Sequence, residues 1–126
     1  MAVQKEHKEF HLLNLNDGWS AIPGYPAGMR HKVLAGSLDE ANKRGARTRL
    51  LRIEAGSFST KPFVHDYWEE VYVISGDLVV GSDDQGRNGQ SWPVNTYACR
   101  PPGVLHGPFT SRTGCTLLEI HYYDPA

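Results

Sequence analysis

From about residue 10 onward the chain alternates short apolar runs with glycine, proline and acidic turn formers. The runs are Phe10–Leu15, His31–Ala35, Thr48–Glu54, Phe58–His65, Glu69–Ser75, Leu78–Gly81, Thr96–Arg100, His106–Thr110 and Cys115–Tyr123. Val, Ile, Leu, Tyr and Thr dominate them, and Gly56, Gly76-Asp77, Asp83-Asp84, Pro101-Pro102-Gly103 and Arg112-Thr113-Gly114 punctuate them. Many short strands bounded by turn signals predict an all-β sandwich or barrel. One segment reads differently. Ser37-Leu38-Asp39-Glu40 has the form of a capping box, Ala41–Arg44 follows, and Gly45 ends it, which predicts one short helix of at most about two turns. Asn16–Gly28 reads as a long ordered loop, and Gly81–Gln90 as an exposed hairpin loop. The polar stretch Met1–Glu9 is expected to be flexible or partner-dependent.

The whole chain, 126 residues with 40% hydrophobic positions, is expected to form one domain, residues 1–126. Thirteen basic residues against fourteen acidic ones give a net charge of −1. That balance lacks the cationic excess needed to grip a phosphate backbone, so nucleic acid is excluded as an expected partner. No apolar run approaches the ~20 residues of a membrane-spanning helix, and no membrane association is expected. The first residues carry no apolar signal core, and the two cysteines, Cys99 and Cys115, are too few for a disulfide framework. The expected setting is therefore the cytoplasm, with both thiols free.

The chemistry concentrates in Phe63-Val64-His65-Asp66-Tyr67-Trp68-Glu69-Glu70-Val71-Tyr72-Val73. On one continuous strand His65 and Glu69 would lie ~13 Å apart, too far to share an ion. A tight turn at Asp66–Trp68 would bring them side by side. Beyond it, Glu69 shares a face with Val71 and Val73, while Glu70, Tyr72 and Ile74 share the other. A carboxylate at the head of a core-facing row is costly unless something pairs with it. His106, delivered by the rigid Pro101-Pro102-Gly103 turn, is the candidate partner. Two imidazoles and one carboxylate with open positions suit non-heme Fe(II), and also Zn or Mn. Tyr67 is placed to lend a phenolate or a hydroxyl nearby.

These segments resemble the cupins, whose first motif reads G-x5-HxH-x3/4-E-x6-G and whose second reads G-x5-PxG-x2-H-x3-N. His65, Glu69 and Gly76 fall on the second histidine, the glutamate and the closing glycine of the first. Pro101, Gly103 and His106 fall on the P, G and H of the second. The resemblance covers roughly residues 47–123. The wording EEVYVISGDL and YACRPPGVLHGPFTSRTGCTLLEI is similar to the ChrR-like group, which includes an anti-sigma-factor cupin domain and small iron dioxygenases that cleave β-diketones and hydroxyacetophenones. The resemblance implies a single antiparallel jelly-roll β-barrel with one divalent metal in its mouth, held by His65, Glu69 and His106. Phe63 replaces the first histidine of HxH, so one of the four usual ligands is missing. Asn95 replaces the opening glycine of the second motif, which Asn tolerates, and Thr110 replaces its terminal Asn.

The leading expectation is an Fe(II)-dependent dioxygenase acting on a small β-dicarbonyl or hydroxy-ketone. The alternatives are a non-redox Zn or Mn isomerase, lyase or hydrolase, with Tyr67 moving protons, and a non-catalytic metal- or ligand-sensing module. Phe63, Trp68, Tyr97 and Cys99 are candidate pocket residues. Arg52 and Arg100 are candidates to hold an anionic substrate oxygen, but surface or subunit ion pairs on outward strand faces are the stronger expectation. His7, His11, His31 and His121 are expected at the surface or satisfied in the core. His121 alternates with Glu119 along the last strand, which would let it reach the residues behind the ligands. The apolar bulk of the Glu70–Tyr72–Ile74 row predicts a homodimer interface.

Overall fold

The computed structural model describes residues 5–124, so the first four residues of the polar N-terminal stretch lie outside the described residues. The strands run in chain order as β1 (Ser20–Ala21), β2 (Met29–Asp39), β3 (Arg44–Ile53), β4 (Trp68–Gly76), β5 (Leu78–Val80), β6 (Gln90–Trp92), β7 (Tyr97–Arg100), β8 (Phe109–Thr110) and β9 (Cys115–Tyr122). They build a six-stranded sheet in the order β1-β2-β3-β9-β4-β7 and a three-stranded sheet in the order β6-β5-β8. Every pairing is antiparallel. This is the expected all-β jelly-roll barrel.

Alternation fixes what faces inward. In β9, Cys115, Leu117, Glu119 and His121 are buried while their neighbours are half-buried. Met29, Leu51, Ile53, Val71, Val73, Leu78, Cys115 and Leu117 form the apolar core. The predicted helix at Ser37–Arg44 does not form. Ser37–Asp39 instead closes β2, and the chain reverses into β3 with Asp39 paired to Arg44. The Asp39 carboxylate accepts from the Asn42 backbone N–H at 3.2 Å and from its side-chain amide at 2.9 Å. Lys43 and Gly45 take positive φ of 52° and 98°. A capping-box sequence therefore serves a hairpin, because ten residue pairs across β2–β3 outweigh a two-turn helix with no apolar face.

Phe10–Leu15 is not a strand, and β1 and β6 form where no strand is predicted. Phe58–His65 is irregular too, held by isolated bridges at Phe58–Thr110 and Phe63–His106. The second bridge matters most. Phe63 N–H donates to the His106 carbonyl at 2.7 Å, His106 N–H returns to Phe63 at 2.9 Å, and Gly103 N–H donates to the His65 carbonyl at 2.8 Å. These bonds tie the two histidine-bearing loops together at the barrel mouth. Asn95 does adopt a left-handed φ of 73°. Gly76, at φ 76°, approaches Gly114 so closely that a Cβ would meet its carbonyl oxygen at 1.8 Å, so only glycine fits there. Tyr72 and Ile74, on the outward face of β4, are both exposed.

Candidate functional site

Strand register assembles the site. Residues directly opposite each other project to the same face. Arg47 is opposite His121, His121 is opposite Glu69, and Glu69 is opposite Arg100. One polar row thus crosses β3, β9, β4 and β7 on the inner face. The next row inward holds Arg49, Glu119, Val71 and Ala98, and the following one Leu51, Leu117 and Val73. The interior grades from charged at the mouth to apolar in depth within three rows.

Glu69 is the hub. His121 Nε2 lies 2.8 Å from its Oε2, and Arg100 Nη1 donates to its Oε1 at 3.1 Å. Arg47 approaches His121 Nδ1 from Nε at 3.2 Å and Nη2 at 2.8 Å. A guanidinium has only donors, so Nδ1 must accept and the His121 ring proton sits on Nε2, aimed at Glu69. His121, fully buried, is therefore a donor that orients Glu69. Serving as an ion ligand through Nε2 would require a proton on the nitrogen that faces Arg47.

His65 and His106 complete the cluster. Their Nε2 atoms stand 3.8 and 3.3 Å from the Glu69 carboxylate oxygens. Two ligands held at ~2.1 Å from a common ion lie at most ~4.2 Å apart, so both separations suit one ion. Two observations show that a cation fits. His65 Nε2 is buried with no hydrogen-bond partner among the described residues. His106 donates from Nδ1 to the Val104 carbonyl at 3.3 Å, so its Nε2 lone pair confronts a carboxylate oxygen, acceptor against acceptor. A divalent ion bound by His65, Glu69 and His106 resolves both.

Burial lowers His65 to about 4 against the pull of Glu69, and burial lowers His106 and His31 as well. Unfolded histidine titrates near ~6.5. Between about pH 6.5 and 4 the unfolded chain then binds more protons than the folded one, and stability falls as pH drops through that window. The urea midpoint of chelator-treated protein is expected to be lower at pH 5 than at pH 7. A flat midpoint would mean that these rings are hydrated.

Beneath the hub, Arg49 reaches Glu119 Oε1 from both Nε and Nη2 at 2.8 Å. Burial acts to raise the Glu119 carboxyl, but Arg49 and His121 outweigh it and hold it well below the usual range. Arg49 also contacts His31 Nδ1 at 3.1 Å and lies 5.8 Å over the Tyr25 ring. Phe63 stacks on Tyr25 at 4.5 Å and lies 6.1 Å from the His106 ring, forming an aromatic wall beside the cluster. The cavity lined by Tyr25, Glu69, Arg100, His106, Phe109 and Glu119 holds about 20 Å³, space for about one water.

Three expected pocket residues lie elsewhere. Tyr97 and Cys99 are exposed on the outer face of β7, where the Tyr97 hydroxyl donates to Glu70 at 2.5 Å. Trp68 also faces outward, donating to Asp124 at 3.0 Å and stacking 6.3 Å from Tyr122. All three follow the outward parity of Glu70. Arg100, expected outside, has the inward parity. Tyr67 is buried and stacks on His65 at 4.6 Å with an interplanar angle of 9°. Burial pushes its hydroxyl well above the ordinary tyrosine range, which favours the neutral phenol. Arg47 and Arg49 are site residues to which the motifs do not point, while Arg100, Glu119 and His121 stand closer to the centre than expected. Their signal is the i, i+2 parity of Arg47 and Arg49 with Leu51 and Ile53, and of Glu119 and His121 with Leu117.

An antiparallel double-sheet barrel with two histidines and a glutamate converging at its mouth has the architecture of a cupin. Residues 13–122 match the ChrR cupin-like domain, and the chain belongs to that family. No curated protein matches it in sequence. An acetylacetone dioxygenase from Acinetobacter johnsonii is similar in structure, with TM-score 0.64 and 17% identity over 99% of this chain and 80% of its own. An RmlC-like cupin from Shewanella frigidimarina gives TM-score 0.63 at 19% identity over 97% and 96%. The polyketide cyclase RemF from Streptomyces resistomycificus gives 0.63 at 20% over 92% and 81%. At these identities the likeness establishes the fold alone.

Proposed function

We propose that this chain is a mononuclear metal-dependent enzyme, an Fe(II) dioxygenase cleaving a carbon–carbon bond of a small β-dicarbonyl or hydroxy-ketone. The observation that carries the metal reading is the unpartnered His65 Nε2, converging on Glu69 together with a His106 Nε2 that faces a carboxylate oxygen. The redox reading draws its support from the donor set, which suits non-heme iron, and from the activity of the similar Acinetobacter protein. Iron bound by three side chains would supply up to three open positions, enough for a chelating substrate and O2.

The chain's own residues do the rest. His121 fixes the orientation of Glu69, Tyr67 fixes the ring plane of His65, and the Tyr25–Phe63–Phe109 wall excludes water from one flank. A cavity of about 20 Å³ is far too small for a diketone, so the substrate meets the ion from the mouth, where His65 and Arg100 are partly open to solvent.

The test is oxygen uptake by Fe(II)-reconstituted protein given acetylacetone or a hydroxyacetophenone. Consumption of one O2 per substrate cleaved is the expected result. Turnover that proceeds equally well without oxygen would replace this reading by Lewis-acid chemistry.

A further inference from the structure

Three guanidinium groups surround the hub, and they are not equivalent. Arg49 is sealed in the barrel against Glu119, its side chain 2% exposed. Arg47 is committed to His121 Nδ1. Arg100 is the one of the three paired with Glu69 itself, and its side chain is partly open at the mouth, 19% exposed against 4% for Glu69. It bonds Glu69 Oε1 at 3.1 Å, and that same oxygen lies 3.3 Å from His106 Nε2. The guanidinium and an ion held by His65, Glu69 and His106 would therefore share one carboxylate. A dication there repels Arg100 and takes over the charge that Arg100 now neutralises.

Charge balance points the same way. The three arginines already exceed the two carboxylates, Glu69 and Glu119, by one charge, and imidazoles that turn a lone pair to the ion add none. A divalent ion raises the excess to three beside the partly open mouth. Such a site selects against neutral ligands and for oxyanions. The planar fork of a guanidinium also matches a delocalised oxyanion better than an ammonium does.

We propose that Arg100 is a specificity-determining residue: it neutralises Glu69 in the metal-free protein and, displaced by the ion, binds a bidentate oxyanion substrate, a carboxylate or an enolate. This rests on the metal reading above and narrows its substrate class.

The test compares wild-type protein with Arg100→Gln and Arg100→Lys, using Zn(II) so that no redox chemistry intervenes. Calorimetry first measures Zn(II) binding to chelator-treated protein. Removing the competing guanidinium in R100Q is expected to tighten it by roughly tenfold, the scale on which a neighbouring arginine perturbs a carboxylate. The loaded proteins are then titrated with oxalate, with acetylacetone as the enolate source, and with hydroxyacetone as a neutral chelator. R100Q is expected to bind the oxyanions at least about tenfold more weakly than wild type, as loss of charge-assisted hydrogen bonds implies. R100K should recover only part of this, and hydroxyacetone should not discriminate. Which oxyanion shows the larger loss separates carboxylate from enolate recognition. Equal oxyanion binding by wild type and R100Q, or weaker Zn(II) binding by R100Q, would overturn the proposal while leaving the metal centre standing. Absence of Zn(II) binding to wild type would remove both, and the first titration alone distinguishes that case.

Discussion

Replacing Glu119 by glutamine is expected to cost about 3–5 kcal/mol of unfolding free energy, the usual penalty for leaving one partner of a buried ion pair alone. In a chain of this size that corresponds to a fall of roughly 10–20 °C in Tm. The substitution preserves volume and one acceptor oxygen, so the loss reports charge rather than packing. Arg49 and Glu119 side chains are only 2% and 7% exposed, and burial leaves little water to solvate an orphaned guanidinium. Salt should not rescue the variant, because ions screen exposed pairs and not sealed ones. Coupling E119Q to Arg49→Met should recover much of the stability, since apolar replacement of a whole buried pair is often neutral. Urea denaturation of the single and double variants measures both effects. An E119Q midpoint close to wild type would show that water reaches the pair.

The same pair shows where sequence reading stops. Arginine is rarely found inside a small barrel, so Arg49 reads as a surface residue although it shares strand parity with Leu51 and Ile53. Only the β3–β9 register, which sets Arg49 opposite Glu119 and Arg47 opposite His121, makes the burial intelligible. Register is also what misplaces Tyr97 and Cys99. Either face of β7 could point inward until Glu69 is known to oppose Arg100, and a one-residue slip exchanges the faces completely. Trp68 shares that ambiguity. The Ser37–Arg44 segment misleads for a different reason: its local capping signal is real, but long-range pairing decides its structure. By contrast, His65, Glu69 and His106 are legible because motif spacing survives where regular strand does not. Phe63 and His65 sit on an irregular segment, yet backbone bonds to His106 and Gly103 place them as tightly as a ladder would. The need of Glu69 for partners was legible as well, from its position at the head of a valine row.

Replacing His106 by alanine is expected to lower divalent-metal affinity by about 100-fold or more, exceeding the 10–100-fold typical of losing an outer partner of a ligand. The geometry predicts a graded series. His106 would contact the ion directly, so its removal leaves His65 and Glu69 alone. His121→Ala keeps all three ligands and removes only the donor that aims Glu69 Oε2, so its loss should fall within the smaller range. Unfolding does not explain such a result away. In the metal-free state His106 Nε2 opposes a carboxylate oxygen at 3.3 Å, and alanine relieves that contact, so H106A should lose less stability than E119Q does. Elemental analysis of the purified proteins, followed by calorimetric titration with Fe(II), Zn(II) and Mn(II), gives the order of affinities. Wild type above H121A above H106A supports a centre built on three side chains with His121 behind them. Metal retained equally by H106A would move the ion to the Glu69–Glu119–His121 cluster, whose donor atoms also converge. Reaching that cluster would require His121 to give up its bond from Arg47, so Arg47→Met would then tighten metal binding instead of loosening it.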